Sequence, residues 1–281
     1  MISSEPRVPT VVANQQLAPP ACDTTYLERL ENTLDVADRS IASVEQDPTS
    51  NEKRNTDLVV SVVIPVYNER DTITEIVERV RAQRIHHEII IVDDFSLDGT
   101  RDVLLELARE PDVHLLMHGY NRGKGAALRT AFAMADGDVI LIQDADLEYD
   151  PADYHKLLAP IERGESNVVF GSRFLESPHQ DPSWLHRFGN WLLTESSNLF
   201  TGQRLTDMET CYKAFRRDIL SSIVVEQNRF GFEPEITAKI SKLGHNIVEV
   251  PITYHARGYE EGKKIGVKDA LSAFRCILKY R

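Results

Sequence analysis

Apolar side chains come in short blocks along this chain, and the spacing within the blocks alternates between two periods. Residues 58–64 read Leu-Val-Val-Ser-Val-Val-Ile, nearly continuous in β-branched side chains, and stop at Pro65 and Asn68. A run of that length and make-up predicts a strand buried on both faces. Runs at 88–92, 113–117 and 167–170 predict three more strands. A central one at 138–143 ends in three acids at alternate positions, Asp144, Asp146 and Glu148. Helical spacing covers 71–83, 100–108 and 126–135, and a further helix opens near Pro151, a residue suited to a first turn. Strands alternating with helices predict an α/β fold, a mostly parallel sheet flanked by helices on both faces.

The alternation breaks after Gly171. Residues 184–200 predict a long helix with an aromatic stripe of Trp184, Phe188 and Trp191. Helices follow at 217–225 and 233–243, then a late strand at 247–254. In a last amphipathic helix, about 267–280, Val267, Leu271, Phe274 and Leu278 share a face and alternate with Lys268, Arg275 and Lys279. That helix is expected either to pack on the domain or to lie on an anionic membrane. The globular domain is therefore placed at 58–281. Residues 1–57 form an extension whose first twenty positions are polar and predicted to be disordered. Leu27, Leu30, Leu34, Ile41 and Val44 then predict an amphipathic helix over about 24–45, which docks on the domain or serves a protein partner.

Composition narrows the function. The formal net charge of −12 argues against a nucleic-acid partner. Cys22, Cys211 and Cys276 are far apart and odd in number, so neither a disulfide framework nor a zinc site is expected. No run of 18 apolar residues and no secretory pattern occurs, and the expected location is cytoplasmic.

Each early strand ends in a polar cluster, at 65–69, 93–98 and 144–148. In a parallel sheet such tips lie along one edge, where open α/β sheets bind ligands. Hard oxygen donors clustered at one tip suit Mg²⁺ or Mn²⁺ together with substrate phosphates. Asp94 is a candidate acceptor for a base or ribose, or else a helix cap. Gly123-Lys124-Gly125 lacks the phosphate-loop and dinucleotide patterns, leaving a tight turn or a substrate contact. Arg173, Arg187, Arg257 and Lys263, several of them beside glycines, are cations suited to phosphate oxygens. HExxH and GxSxG are absent, which argues against zinc-peptidase and serine-hydrolase chemistry.

Seven motifs in order now carry a resemblance. They are Val-Ile-Pro-Val-Tyr-Asn-Glu at 63–69, Val-Asp-Asp-Phe-Ser-Leu-Asp-Gly-Thr at 92–100 and Asn-Arg-Gly-Lys-Gly-Ala-Ala at 121–127. Gln-Asp-Ala-Asp-Leu-Glu at 143–148, Gly-Ser-Arg-Phe at 171–174, Thr-Asp-Met-Glu-Thr-Cys-Tyr-Lys at 206–213 and Val-Pro-Ile-Thr-Tyr at 250–254 complete the set. From Val60 onward the chain resembles the family 2 glycosyltransferases of GT-A fold, in the branch of dolichyl-phosphate mannose synthases and polyprenyl-phosphate glucosyltransferases. The resemblance implies that Pro65, Tyr67, Glu69, Val92 and Asp94 hold the base and ribose of a nucleotide sugar. It sets Asp144 and Ala145 beside the nucleotide, and Asp146 and Glu148 on a Mg²⁺ or Mn²⁺ ion at the diphosphate. Branch members often carry Gln at the Glu148 position, a departure that bears on metal preference. Arg257 and Lys263 are implied to close over the diphosphate, and Arg173 and Arg187 to grip an acceptor phosphate. Asp207 falls where the family places an acid near the reacting sugar, as an orienting group or a base.

The implied reaction is an inverting transfer of a hexosyl group from a GDP-mannose or UDP-glucose type donor to a polyprenyl or dolichyl phosphate at a membrane surface. A phosphate monoester has a second pKa of about 6 and is already a nucleophile at neutral pH. The alternatives are a soluble transferase acting on a small phosphorylated acid, a glycan or a protein, and a nucleotide-sugar-binding scaffold without catalysis.

Overall fold

The structure, a computed structural model, describes residues 58–176, 184–256 and 267–281. The chain divides into the units Met1–Lys53 and Arg54–Arg281, and every described residue belongs to the second. The expected N-terminal helix lies outside the described residues, as do Arg257 and Lys263.

Seven strands form one sheet: β1 (Val60–Val66), β2 (His86–Asp93), β3 (Val113–Met117), β4 (Val139–Ile142), β5 (Val168–Ser172), β6 (Lys213–Arg216) and β7 (Val248–Pro251). Their order is β3-β2-β1-β4-β6-β5-β7. All neighbours run parallel except β6, which is antiparallel to both β4 and β5. The β-branched runs explain the centre: Val63 pairs with Ile90 on one side and Ile142 on the other, and all three are buried. Strand order reverses at β1, between β2 and β4, so a crevice opens beyond their C-terminal ends.

The helices are α1 (Ile73–Ala82), α2 (Thr100–Leu107), α3 (Lys124–Phe132), α4 (Tyr154–Glu162), α5 (Trp184–Thr201), α6 (Arg217–Ser221), α7 (Phe232–Lys242) and α8 (Val267–Tyr280). They fall on the expected segments with shifted ends, α3 opening two residues before and closing three residues short of the expected 126–135, and further differences follow. The segment at Pro151 opens as a 3₁₀ turn, Pro151–Asp153, capped by Asp150, whose Oδ1 accepts from the Ala152 N–H at 3.0 Å. Helix α6 stops at Ser221, four residues short of the expected end. Strand β6 has no counterpart in the hydrophobic pattern, because it opens with a lysine. The Lys213 ammonium is buried, donates to the carbonyls of Met208 and Thr210, and lies 4.4 Å from the centre of the Phe170 ring. Two carbonyls and an aromatic face replace water there.

Candidate active site

The loops after β1 and β2 are clasped together. The Asn68 Oδ1 accepts from the Leu97 N–H at 2.8 Å, and the Asn68 N–H donates to Ser96 Oγ at 2.9 Å. The Glu69 N–H donates to Thr100 Oγ1 at 3.0 Å. Asn68 adopts a positive φ of 54°, a conformation that asparagine tolerates better than most residues. Behind the clasp, the buried Asp93 accepts from Arg101 Nε at 2.7 Å and from the Phe95 and Ser96 amides. Pro65, Tyr67 and Glu69 are half-buried at this edge, while Val92 is wholly buried within β2.

Asp94 is also buried and strongly engaged. Its carboxylate accepts from the Arg122 N–H at 2.8 Å and the Gly123 N–H at 2.6 Å, and lies 2.7 Å from His118 Nδ1. It therefore fixes the loop that opens α3, and neither oxygen lacks a protein partner. A side chain at Gly125 would overlap the Gln227 carbonyl, so the glycine lets α3 begin against the 225–230 segment. Lys124 is then aimed into the site. Its Nζ lies 3.1 Å from Asp144 Oδ1, 2.6 Å from Cys211 Sγ and 3.6 Å from Glu233 Oε1. Burial alone would lower the lysine pKa, but the surrounding acids and thiol raise it well above its ordinary value. Lys124 is a site residue that sequence reasoning left open between a turn and a substrate contact.

The tip of β4 is held from beneath by Gln143. The Gln143 Oε1 accepts from the hydroxyls of Tyr154 and Tyr212, both at 2.7 Å, and its Nε2 donates to the Asp144 carbonyl at 2.9 Å. Ala145 is buried next to it, and the chain then turns through Leu147 at a φ of 61°. That turn sets Asp146 and Glu148 beside one another, the Asp146 Oδ1 accepting from the Glu148 N–H at 3.1 Å. Among the described residues no group of three or more His, Cys, Asp or Glu side chains forms a metal cage. Two half-buried carboxylates instead suit a hard cation that takes its remaining oxygens from water and substrate phosphates.

On the other side of the site, Arg173 follows β5 and makes a bidentate pair with Asp207, Nε to Oδ2 at 2.6 Å and Nη2 to Oδ1 at 2.7 Å. Asp207 is fully buried, and its amide donates to Glu249 Oε1 at 2.9 Å. Burial opposes the charge on Arg173, but Asp207 holds its pKa well above the ordinary value. Two residues on, burial with help from Glu233 pushes the Glu209 carboxyl up to about 8. Arg187 stands half-buried on α5. Tyr254 joins the two sides: its hydroxyl donates to Glu148 Oε2 at 3.0 Å, and the Arg173 guanidinium lies 5.1 Å from its ring centre. The carboxylates after β4 and the guanidinium after β5 thus border one site. The Val-Pro-Ile-Thr-Tyr motif was a signal for Tyr254, but its contacts come only with the fold.

Residues 61–224, more than half of the chain, match the model of glycosyl transferase family 2. The chain belongs to that family. It is 31% identical over 216 residues to an undecaprenyl-phosphate mannosyltransferase of Micrococcus luteus, covering 74% of this chain and 88% of that protein. A dolichol-phosphate mannosyltransferase of Pyrococcus furiosus is 30% identical over 216 residues, covering 74% of this chain and 59% of the relative. The chain thus spans less than two thirds of that relative, and of several others it matches. In fold, this family 2 chain is similar to glucosyl-3-phosphoglycerate synthase of Mycobacterium tuberculosis in complex with UDP. The TM-score is 0.65 at 19% identity, over 84% of this chain and 86% of the other. The sheet and its flanking helices are the GT-A fold of these glycosyltransferases.

Proposed function

We propose that this family 2 enzyme moves a hexosyl group, with inversion, from a nucleoside diphosphate sugar of the GDP-mannose or UDP-glucose type to a polyprenyl phosphate. The observation that carries the proposal is Tyr254, which touches both Glu148 and Arg173. A displacement at the anomeric carbon needs a stabilised diphosphate leaving group and a phosphate nucleophile at the same carbon, and these two residues border one space. Named relatives that act on undecaprenyl and dolichol phosphate support a lipid acceptor.

In this reading Pro65, Tyr67, Glu69 and Val92 line the base and ribose pocket, and Asp94 acts through the loop it fixes. Asp144 and Ala145 flank the nucleotide. Asp146 and Glu148 hold Mg²⁺ or Mn²⁺, which neutralises charge on the diphosphate. Arg257 and Lys263 supply further positive charge to the leaving group, and Arg173 and Arg187 orient the acceptor phosphate. The acceptor is largely a dianion at neutral pH and needs no base. Asp207 has both oxygens on Arg173, so it holds the arginine in place rather than taking a proton.

The test is sugar transfer to polyprenyl phosphate in detergent, beside a small phosphorylated acid as competing acceptor. We expect lipid-linked product from the wild type and a loss of about 100-fold or more in Asp146→Ala, since even partners behind metal ligands cost 10–100-fold. Transfer to the small acid alone would contradict the lipid assignment. Asp207→Asn should weaken acceptor KM without abolishing the pH dependence of turnover; loss of that dependence would restore a base role.

A further inference from the structure

The segment between α6 and α7 forms no strand, and side chains take up its backbone groups instead. Glu235, on α7 and fully buried, accepts from the Glu226 N–H at 2.7 Å through Oε1 and from the Gln227 N–H at 2.8 Å through Oε2. Lys239 Nζ lies 2.7 Å from the same Oε1. From α3, Arg129 donates to the Val225 carbonyl at 2.9 Å and to Asn228 Oδ1 at 2.8 Å. The Asn228 carbonyl accepts from the Ala126 N–H at 3.1 Å. One carboxylate that takes two successive amides, one on each oxygen, fixes both the place and the direction of the segment.

This segment bears on α3 backbone to backbone. Gly123 has a φ of 95°, and a side chain there would overlap the Asn228 carbonyl, as one at Gly125 would overlap the carbonyl of Gln227. With no side chain between them to yield, a displacement of the segment passes to the residue held between the two glycines, Lys124. The Lys124 side chain keeps 17% of its surface exposed, beside Asp144, Cys211 and Glu233. Helix α7 therefore reaches Lys124 twice, directly through Glu233 and by way of the segment through Glu235. Glu235 itself is 0% exposed and meets no ligand, so whatever it does for the site it does through this segment.

We infer that Glu235 is a positioning residue for the donor side of the site: through residues 225–231 it holds the first turn of α3, and with it Lys124, against Asp144. The inference rests on the nucleotide-sugar reading for what Lys124 serves. The first arm of its test contains no donor, so the two fail separately.

The first arm is a pulse of acetic anhydride on the full chain, with labelling mapped by peptide mass spectrometry and the exposed Lys242 as reference. Glu235→Gln keeps one acceptor oxygen and replaces the other by a donor. We expect Lys124 to label severalfold faster in that variant while Lys242 does not change. The second arm is calorimetric binding of UDP-glucose and GDP-mannose with Mn²⁺. There Glu235→Gln should weaken the donor that binds by about tenfold, within the roughly 100-fold that a misplaced site group can cost. In a Lys124→Met background the same substitution should cost nothing further. Arg129→Met, which loosens the segment from the α3 side, should reproduce both changes and takes the place of Glu235→Gln if that variant does not fold. Unchanged Lys124 labelling in a folded variant would overturn the inference. So would a loss of donor affinity of the same size with and without Lys124.

Discussion

Helices α1 and α5 are both amphipathic, yet the faces they bury differ in character. Helix α1 places Ile73, Ile76, Val77 and Val80 against the core, all fully buried, and leaves Glu75, Glu78 and Arg79 to solvent or to its edge. Helix α5 gives the interior Leu193, Thr194 and Ser197 and leaves both indoles, Leu192 and Leu199 outside. The first half of the sheet is stabilised by aliphatic burial. Buried polar groups occur in both halves, Asp93 and Asp94 in the first and Asp207, Lys213 and Glu233 in the second, each needing a partner. Where stability is aliphatic the chain builds a frame. Where buried polar groups collect, at Asp93 and Asp94 and again at Asp207, it borders the site.

The largest expected effect tests the frame. Ile76→Ala should cost about 2–5 kcal/mol in urea unfolding, as a buried branched side chain replaced by a cavity. Leu199→Ala removes a side chain of similar volume from the outer face of α5 and should change stability by no more than about 0.5 kcal/mol. Equal costs at the two positions would erase the contrast.

A smaller effect reports on the polar interior. Burial pushes Glu209 up to about 8 from an ordinary 4.5, and one of its oxygens is buried without a partner. Between those values the folded chain keeps a proton that the unfolded chain has released. The contribution is therefore fully present below that window, where both forms are protonated, and stability falls as pH rises through it. Glu209→Gln should flatten the fall in urea midpoint between about pH 5 and about pH 8. An unchanged slope would place the titrating group elsewhere.

Much of this was legible in the chain itself. The β-branched runs before Pro65, Asp93 and Asp144 fixed β1, β2 and β4, and their polar ends located the crevice. Long periodic segments such as 184–200 gave α5, although periodicity cannot say which face turns inward. Strand β6 was hidden because Lys213 interrupts its apolar pattern, and only the Met208 and Thr210 carbonyls and the Phe170 ring make its burial tolerable. The pairing of Arg173 with Asp207 spans 34 positions and that of Tyr254 with Glu148 spans 106, separations that no local pattern reports. Lys124 belongs with them: its position after Gly123 was visible, but its contact with Asp144 required α3 to be seated against the sheet.

The measurement that bears most directly on the central claim, that the tips of β1, β2 and β4 form a metal-dependent nucleotide-sugar site, is thermal stabilisation by UDP- and GDP-sugars with and without Mn²⁺, on wild type and Asp146→Ala. The account predicts that one donor raises the Tm of the wild type only when Mn²⁺ is present, and that the variant unfolds at the wild-type temperature without ligand but gains nothing from donor and metal. Equal stabilisation of both proteins, or a donor effect independent of the metal, would contradict it.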